Sequence, residues 1–331
     1  MSQLNLLPIK IESLGSNNSV SSTNTYEAKL ENLDFSALVG QSIVHYLLGN
    51  AQATNCIAPA YLFTGSEGVG KNLAARIFSA QVLNTKSLSN HPDFLLIEPT
   101  FQHQGKLKRS SELEVTGQKR KYLPQIRIEQ VRELTQFLNY SSQIAPRKVA
   151  IVHDAHCMTQ SAANALLKTL EELKSGIIIL LSSQPQKLLP TIVSRCQSIP
   201  FGRLNSDEML SVLENIGRAD ILIDSLVLSL ASGSPGQAIA HYNQLQAVPK
   251  ALLKQLSSPP KDALKAIQAA QEIDVALDYH QQIWLLDYLQ HSWWYHCRDS
   301  AWVAKIEEAK TALLKLATPR LVWEVLLLST S

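Results

Sequence analysis

"FTGSEGVGKNLAARIF", residues 63–78, is the stretch from which the rest of the chain is read. A phosphate-binding loop is written Gly, four residues, Gly-Lys, then Ser or Thr, with a strand before it and a helix after it. Gly65, Gly70 and Lys71 comply, Gly68 adds a further flexible position, and Asn72 stands where the hydroxyl should be. The preceding "AYLFTG" (60–65) is apolar enough for a buried strand, and Leu73 to Leu83 reads as a helix. In such a loop the glycines let the backbone curl so that its N–H groups face phosphate oxygens, and the helix adds its positive end. Lys71 supplies a charge for phosphates. Asn72 offers only an amide oxygen where a hydroxyl ordinarily ligates Mg²⁺, so the pattern favours ATP bound without efficient hydrolysis. The alternatives are a glycine-rich turn that binds nothing and a loop of the same fold that has lost nucleotide binding.

Four more apolar runs follow: "DFLLIEP" (93–99), "KVAIVHDA" (148–155), "GIIILLSS" (176–183) and "QSIPF" (197–201). Each is apolar nearly throughout, as strands covered on both faces of a parallel sheet are. Helical stretches at 71–83, 127–139 and 160–173 alternate with them, and Ala163, Leu166, Leu167, Leu170 and Leu173 line one face of the last. The expected fold is therefore α/β with right-handed crossovers. After Phe201 the strand-like runs stop and the chain reads as helices, punctuated by "SGSPGQ" (232–237) and "SSPP" (257–260). Four regions are expected: a flexible N-terminal segment at 1–33, an α/β domain at 34–203, a small helical domain at 204–250 and a second helical domain at 251–331. The segment 101–123 carries six Lys or Arg against two Glu and reads as a basic surface insertion, either a solvated charged loop or one that touches phosphates.

Asp154 closes the run 148–155, where it either holds a metal-bound water or caps the strand end. Ala155 follows it, and a methyl group cannot orient an attacking water. Arg195, in "LLPTIVSRCQ" (188–197), sits on a surface-facing turn before the last strand. There it could stabilise charge on a phosphoryl group held by a neighbouring subunit, or form a salt bridge. No catalytic partner is evident for His91, His153 or His156. The aromatic cluster "HSWWYHCRDSAW" (291–302) reads as helical core or interface before it reads as a base-stacking surface.

Composition excludes some classes. At 45% apolar and 18% charged residues the chain is an ordinary globular protein, and a net charge of +2 does not by itself argue for nucleic acid or membrane. Cys56, Cys157, Cys196 and Cys297 have no metal-ligand spacing, so no zinc or other metal site is expected. No run approaches the length of a membrane span and no secretory signal is evident, so a cytoplasmic location is expected.

Taken together, "LVGQ" (38–41), "AYLFTGSEGVGK" (60–71), "HPDF" (91–94), "IRIEQVREL" (126–134), "DAHCMTQSAANALLKTLEE" (154–172) and "LLPTIVSRCQ" (188–197) resemble the delta-prime family of bacterial clamp-loader subunits, part of DNA polymerase III. The similarity covers about residues 34–240, with a weaker echo in "LATPRLVWEVLLL" (316–328). The resemblance implies an AAA+ P-loop domain, a helical lid and an all-helical collar that joins subunits. It implies partners: gamma/tau-like ATPases, a delta-like subunit and, through the complex, a sliding clamp and primed DNA. It further implies a stator in DNA replication whose Arg195 reaches a neighbour's ATP site. Possession of a lid arginine marks the active ATPase paralogues, and here Gly236 occupies that place. Gly65, Gly68, Gly70, Lys71, Asn72 and Asp154 are the nucleotide-binding candidates. Many family members carry a four-cysteine zinc module before "HPD", which this chain lacks. An active gamma/tau-like ATPase subunit, a purely structural adaptor and a DNA-binding protein acting through the insertion are the rival readings.

Overall fold

The computed structural model describes residues 35–103, 106–109, 124–173, 175–260, 262–297, 300–315 and 317–329. The N-terminal segment 1–33 and most of the basic insertion lie outside them. The described strands are, in chain order, β1 (Ala60–Thr64), β2 (Phe94–Ile97), β3 (Thr100–His103), β4 (Lys106–Arg109), β5 (Lys148–Val152), β6 (Gly176–Ser182) and β7 (Gln197–Pro200). Five of them form one sheet in the order β2-β5-β6-β1-β7, with every neighbour parallel. The helices of this region are α1 (Ser42–Ala53), α2 (Lys71–Val82), α3 (Ile128–Asn139), α4 (Gln160–Glu172) and the single turn α5 (Pro190–Val193).

Alternation along each strand sorts its residues between two cores. Tyr61, Phe63, Val149, Ile151, Ile177, Ile179 and Leu181 meet α1 and α2 through Val44, Leu48, Ala74, Ala75 and Phe78. Leu62, Ala150, Val152, Ile178 and Leu180 face the other way, onto Val131, Leu134 and Leu138 of α3 and Ala162, Ala163 and Leu166 of α4. Both faces of β1, β5 and β6 are thus dry, which is why those runs are largely apolar, whereas the outer strand β2 is only partly covered and β7 exposes Gln197, Ser198 and Pro200. Each fully buried Ile or Leu contributes about 1.5–3 kcal/mol. The loop after β1 is thereby built on the end of an interior strand that cannot shift without opening both cores.

Two local expectations change. The run 148–155 is strand only as far as Val152, because Asp154 adopts a left-handed φ of 46° and leads into a 3-10 turn at Ala155–Cys157. The basic insertion begins as a hairpin, with Thr100 to His103 paired antiparallel to Lys106 to Arg109. Phe101 anchors it at 4% exposure.

Beyond the sheet come α6 (Ser206–Asn215), α7 (Ser225–Ala231) and α8 (Pro235–Ala247), packed on Leu204, Met209, Leu213, Val227 and Ala238. Ser234 caps α8 by accepting the Gln237 N–H at 3.3 Å, with Pro235 in the first turn where its missing donor costs nothing. Then follow α9 (Lys250–Gln255), α10 (Ala263–Ala276), α11 (Tyr279–Cys297), α12 (Ser300–Leu314) and α13 (Pro319–Leu328) around a separate core. Trp293 and Trp323 fill that core, and each indole N–H is satisfied, by Leu256 O at 2.8 Å and Gln282 Oε1 at 2.9 Å. The aromatic cluster therefore supplies core at Trp293, whereas Trp294 is 49% exposed.

Candidate functional site

The loop from Gly65 to Lys71 joins the C-terminal end of β1 to α2, between the two central cores. Gly65, Gly68 and Gly70 have φ of 146°, 77° and 101°, a backbone only glycine enters readily. Gly70 is also the residue that precedes and caps α2. Lys71 is 8% exposed and folds back over the loop, donating to Gly65 O at 2.7 Å and Ser66 O at 2.5 Å. Burial lowers its pKa, against the opposing pull of Asp154 and Glu67. Asn72 Oδ1 is buried without a hydrogen-bond partner, an acceptor left over for a donor that the protein does not provide. The curled backbone, the lysine and that orphan acceptor fit the phosphate end of a nucleotide.

Asp154 lies near enough to Lys71 for each to shift the other's pKa. His153 Nδ1 and Asp154 Oδ2 are 3.0 Å apart, a partnership that the sequence spacing did not reveal. Burial would raise the Asp154 carboxyl, but the His153 bond and charge outweigh it and hold the group below its usual range. His153 moves the other way: burial would lower it, and Asp154 raises it. Ala155, fully buried, follows. Among the described residues no group of three or more His, Cys, Asp or Glu is placed to hold a metal ion.

The first turn of α8 rests directly on the loop. Gly236 N donates to Gly68 O at 3.0 Å, and Ser234 Oγ donates to Glu67 O at 2.6 Å. A Cβ at Gly236 would come within 2.6 Å of Gly68 Cα, so this close approach depends on two glycines facing each other. Arg203 adds a third tie, donating from Nε to Ser66 Oγ at 3.2 Å and from Nη1 to Ser232 O at 3.2 Å. Nothing in the sequence pattern singled out Arg203, whose partner on the loop is 137 residues away. Gln41 closes the motif "LVGQ". It is 4% exposed and pairs with the Gly202 peptide like a strand neighbour, Nε2 to O at 2.8 Å and N to Oε1 at 3.0 Å.

Arg195 belongs to a different place. It lies two residues before Gln197, and Gln197 pairs with Tyr61 at the start of β1. The loop lies beyond Thr64, at the far end of the same strand. At about 3.3 Å per strand residue, the paired stretch Tyr61 to Thr64 alone puts about 10 Å between them along the sheet. The guanidinium is exposed on a turn after α5, donating to Glu171 Oε1 at 2.6 Å and Thr191 O at 3.1 Å. Gly65, Gly68, Gly70, Lys71, Asn72 and Asp154 are thus brought together, and Arg195 is not among them.

A family model described as DNA polymerase III, delta subunit, matches residues 40–205, half of the chain. A second, the cyanobacterial DNA polymerase III delta prime C-terminal domain, matches residues 207–330. The chain belongs to the DNA polymerase III delta-prime family. Subunit delta' of Pseudomonas aeruginosa is 32% identical over 250 residues, covering 66% of this chain and 68% of the relative. Subunit tau of Bacillus subtilis is 29% identical over 201 residues, 60% of this chain, which spans only 33% of that longer protein. In fold, the chain resembles a DNA polymerase III gamma subunit-related protein of Thermotoga maritima, with a TM-score of 0.55 at 19% identity over 86% of this chain and 98% of that one. No helix among the described residues is long and apolar enough to cross a membrane.

Proposed function

We propose that this delta-prime family chain is a clamp-loader subunit in DNA replication, working as a stator that supplies Arg195 to the ATP site of a neighbouring subunit. The observation that carries this reading is the placement of Arg195, exposed and at the opposite end of the sheet from the chain's own loop. Among the described residues its guanidinium engages only the Glu171 carboxylate and the Thr191 carbonyl, and neither is a phosphate. Offered to a polyphosphate on another chain, its planar donors would stabilise developing charge. Delta-prime and tau relatives support assembly with other loader subunits, and in this reading the complex acts in the cytoplasm on a sliding clamp and primed DNA.

The chain divides, in this reading, into an AAA+ unit at 34–203, a lid at 204–250 and a collar at 251–331. The separate buried clusters around Leu213 and around Trp323 favour that division. The chain's own loop would hold the phosphates of ATP through Gly65, Gly68, Gly70 and Lys71, with Asn72 and Asp154 nearest the place of Mg²⁺. Bound there, ATP brings a polyanion whose charge Lys71 offsets. Ala155 cannot position a water and Asn72 is a poor metal ligand, so efficient hydrolysis is not expected.

The test is ATP hydrolysis by a reconstituted loader containing either wild-type chain or Arg195→Ala, with the isolated chain alongside. An inert isolated chain and a large loss of activity in the variant loader, at unchanged assembly, are expected. Full activity of the variant loader would remove the arginine role. The well-formed loop and buried Lys71 favour a second reading, an active ATPase, which turnover by the isolated chain, lost in Lys71→Ala, would establish.

A further inference from the structure

We propose that Arg203 is a second phosphate-binding cation of this chain, completing with Lys71 a site for the tail of a nucleoside triphosphate between the loop and the lid. The inference rests on the reading of the 65–71 loop as nucleotide-binding and adds to it the residue that selects for phosphate number.

The two cations converge on one residue. Lys71 donates to the carbonyl of Ser66, and Arg203 donates to the hydroxyl of the same Ser66, so the loop strand runs between an ammonium and a guanidinium. A cavity of about 320 Å³ opens there, lined by Ser66, Glu67, Gln184, Arg203, Ser232 and Gln237 among others. Its walls combine hydroxyls, amides and one guanidinium, donors that phosphate oxygens take, with the Glu67 carboxylate and the apolar Leu230 and Ala231. Of the five N–H donors of Arg203, two are engaged, by Ser66 Oγ and Ser232 O, which leaves three for a ligand.

The backbone holds Arg203 in place from both sides. Gly202 before it is paired through both its N–H and its carbonyl with Gln41, and Leu204 after it donates to Gly233 O at 2.8 Å. The guanidinium is itself tied to the loop at one end and to the lid at the other. A cation fixed in this way binds an anion without first losing much side-chain freedom. The first turn of α8 cannot supply one, because Gly236 packs against Gly68 with no space for a side chain. Glu67 lines the same cavity and opposes an anion, so a single phosphate gains little there. A polyphosphate that reaches both Lys71 and Arg203 gains two cations against one carboxylate. The ligand class is therefore a nucleoside triphosphate, held more tightly than the diphosphate.

The experiment is calorimetric titration of the full chain with ATP, ADP and AMP, comparing wild type, Arg203→Gln, Arg203→Lys and Lys71→Ala, with thermal melting as the check on folding. Arg203→Gln is expected to weaken ATP about tenfold while ADP changes little, so that the preference for the triphosphate disappears. Arg203→Lys is expected to fall between, since it keeps the charge and loses the fork. Lys71→Ala is expected to weaken ATP and ADP alike. Unchanged ATP affinity and ATP-to-ADP ratio in Arg203→Gln, with Lys71→Ala impaired, would overturn the role of Arg203 and leave the loop reading standing. No nucleotide binding by wild type would overturn both. Should Arg203→Gln melt early, Ser66→Ala decides instead: it frees the guanidinium without removing it, and an unchanged ATP-to-ADP ratio there would count against the proposal.

Discussion

In Gly68→Ala the new methyl carbon would meet Ser234 Oγ at 2.6 Å, Gln237 N at 2.7 Å and Gly236 Cα at 2.8 Å. Two of those atoms are backbone of α8, so the helix and not a flexible side chain has to move. Displacing it breaks the Gly236 N–H bond to Gly68 O and the Ser234 hydroxyl bond to Glu67 O, each contributing about 1 kcal/mol net. Alanine at a φ of 77° costs about 1 kcal/mol more. The docked lid is thus destabilised by about 3 kcal/mol, about two powers of ten in the ratio of docked to undocked chains. Hydrogen exchange read by mass spectrometry on peptides from the start of α8 measures that ratio. They are expected to exchange about a hundredfold faster than in wild type, while peptides of β1 and β6 keep their protection. Exchange within about threefold of wild type would show that the glycine contact does not hold the lid, and the reasoning would fail.

Asp93, fully buried, accepts N–H bonds from Gln143, Ile144 and Ala145 at 2.7, 2.8 and 2.9 Å. Burial would raise its carboxyl, but these bonds and His91 hold it below the usual value, so its contribution is present above about pH 4 and is lost as pH falls through the depressed folded-state pKa. Asp93→Asn, which keeps one acceptor oxygen, is expected to cost about 2–4 kcal/mol in urea unfolding at pH 7, with the gap to wild type narrowing in acid. Gln41→Ala removes both bonds to Gly202 and is expected to lower stability by about 2 kcal/mol in the same assay. Glu171→Gln breaks only an exposed ion pair with Arg195 and is expected to leave the melting temperature within a degree or two. Burial pushes the Cys157 and Cys196 thiols up to about 11, whereas Cys56 is exposed. At pH 8 a thiol reagent followed by peptide mapping is therefore expected to modify Cys56 well before the other two.

The strands and the loop were legible because their signals are local: apolar runs bounded by turn residues, and glycines at fixed spacing. Residues whose roles arise from long-range closure were not. Arg203, Gln41 and Asp93 each reach a partner 50 or more residues away, and no periodicity marks them. The end of β5 is not marked in the sequence, because no Gly or Pro separates "KVAIV" from "HDA" and the strand is stopped by Asp154, which tolerates a left-handed turn that most residues avoid. The role of His153 is hidden for a related reason. Its partner is its chain neighbour, and only that turn brings the two side chains together. Charge dominates the composition of the insertion and masks the start of its hairpin, where Phe101 is buried.

The pairing of Gln41 with Gly202 also has a consequence for how the molecule comes into being. Its two ends are 161 residues apart, and β1 pairs only with β6 and β7, both of which lie far downstream. A chain emerging from the ribosome presents "AYLFT" long before any neighbour for it has been made. Closing a segment of that length costs on the order of 4–5 kcal/mol of chain entropy, a cost that the sheet cores must outweigh in a single late step. Synthesis stopped short of β7 leaves an apolar strand with one open edge, the kind of fragment that chaperones retain and proteases remove.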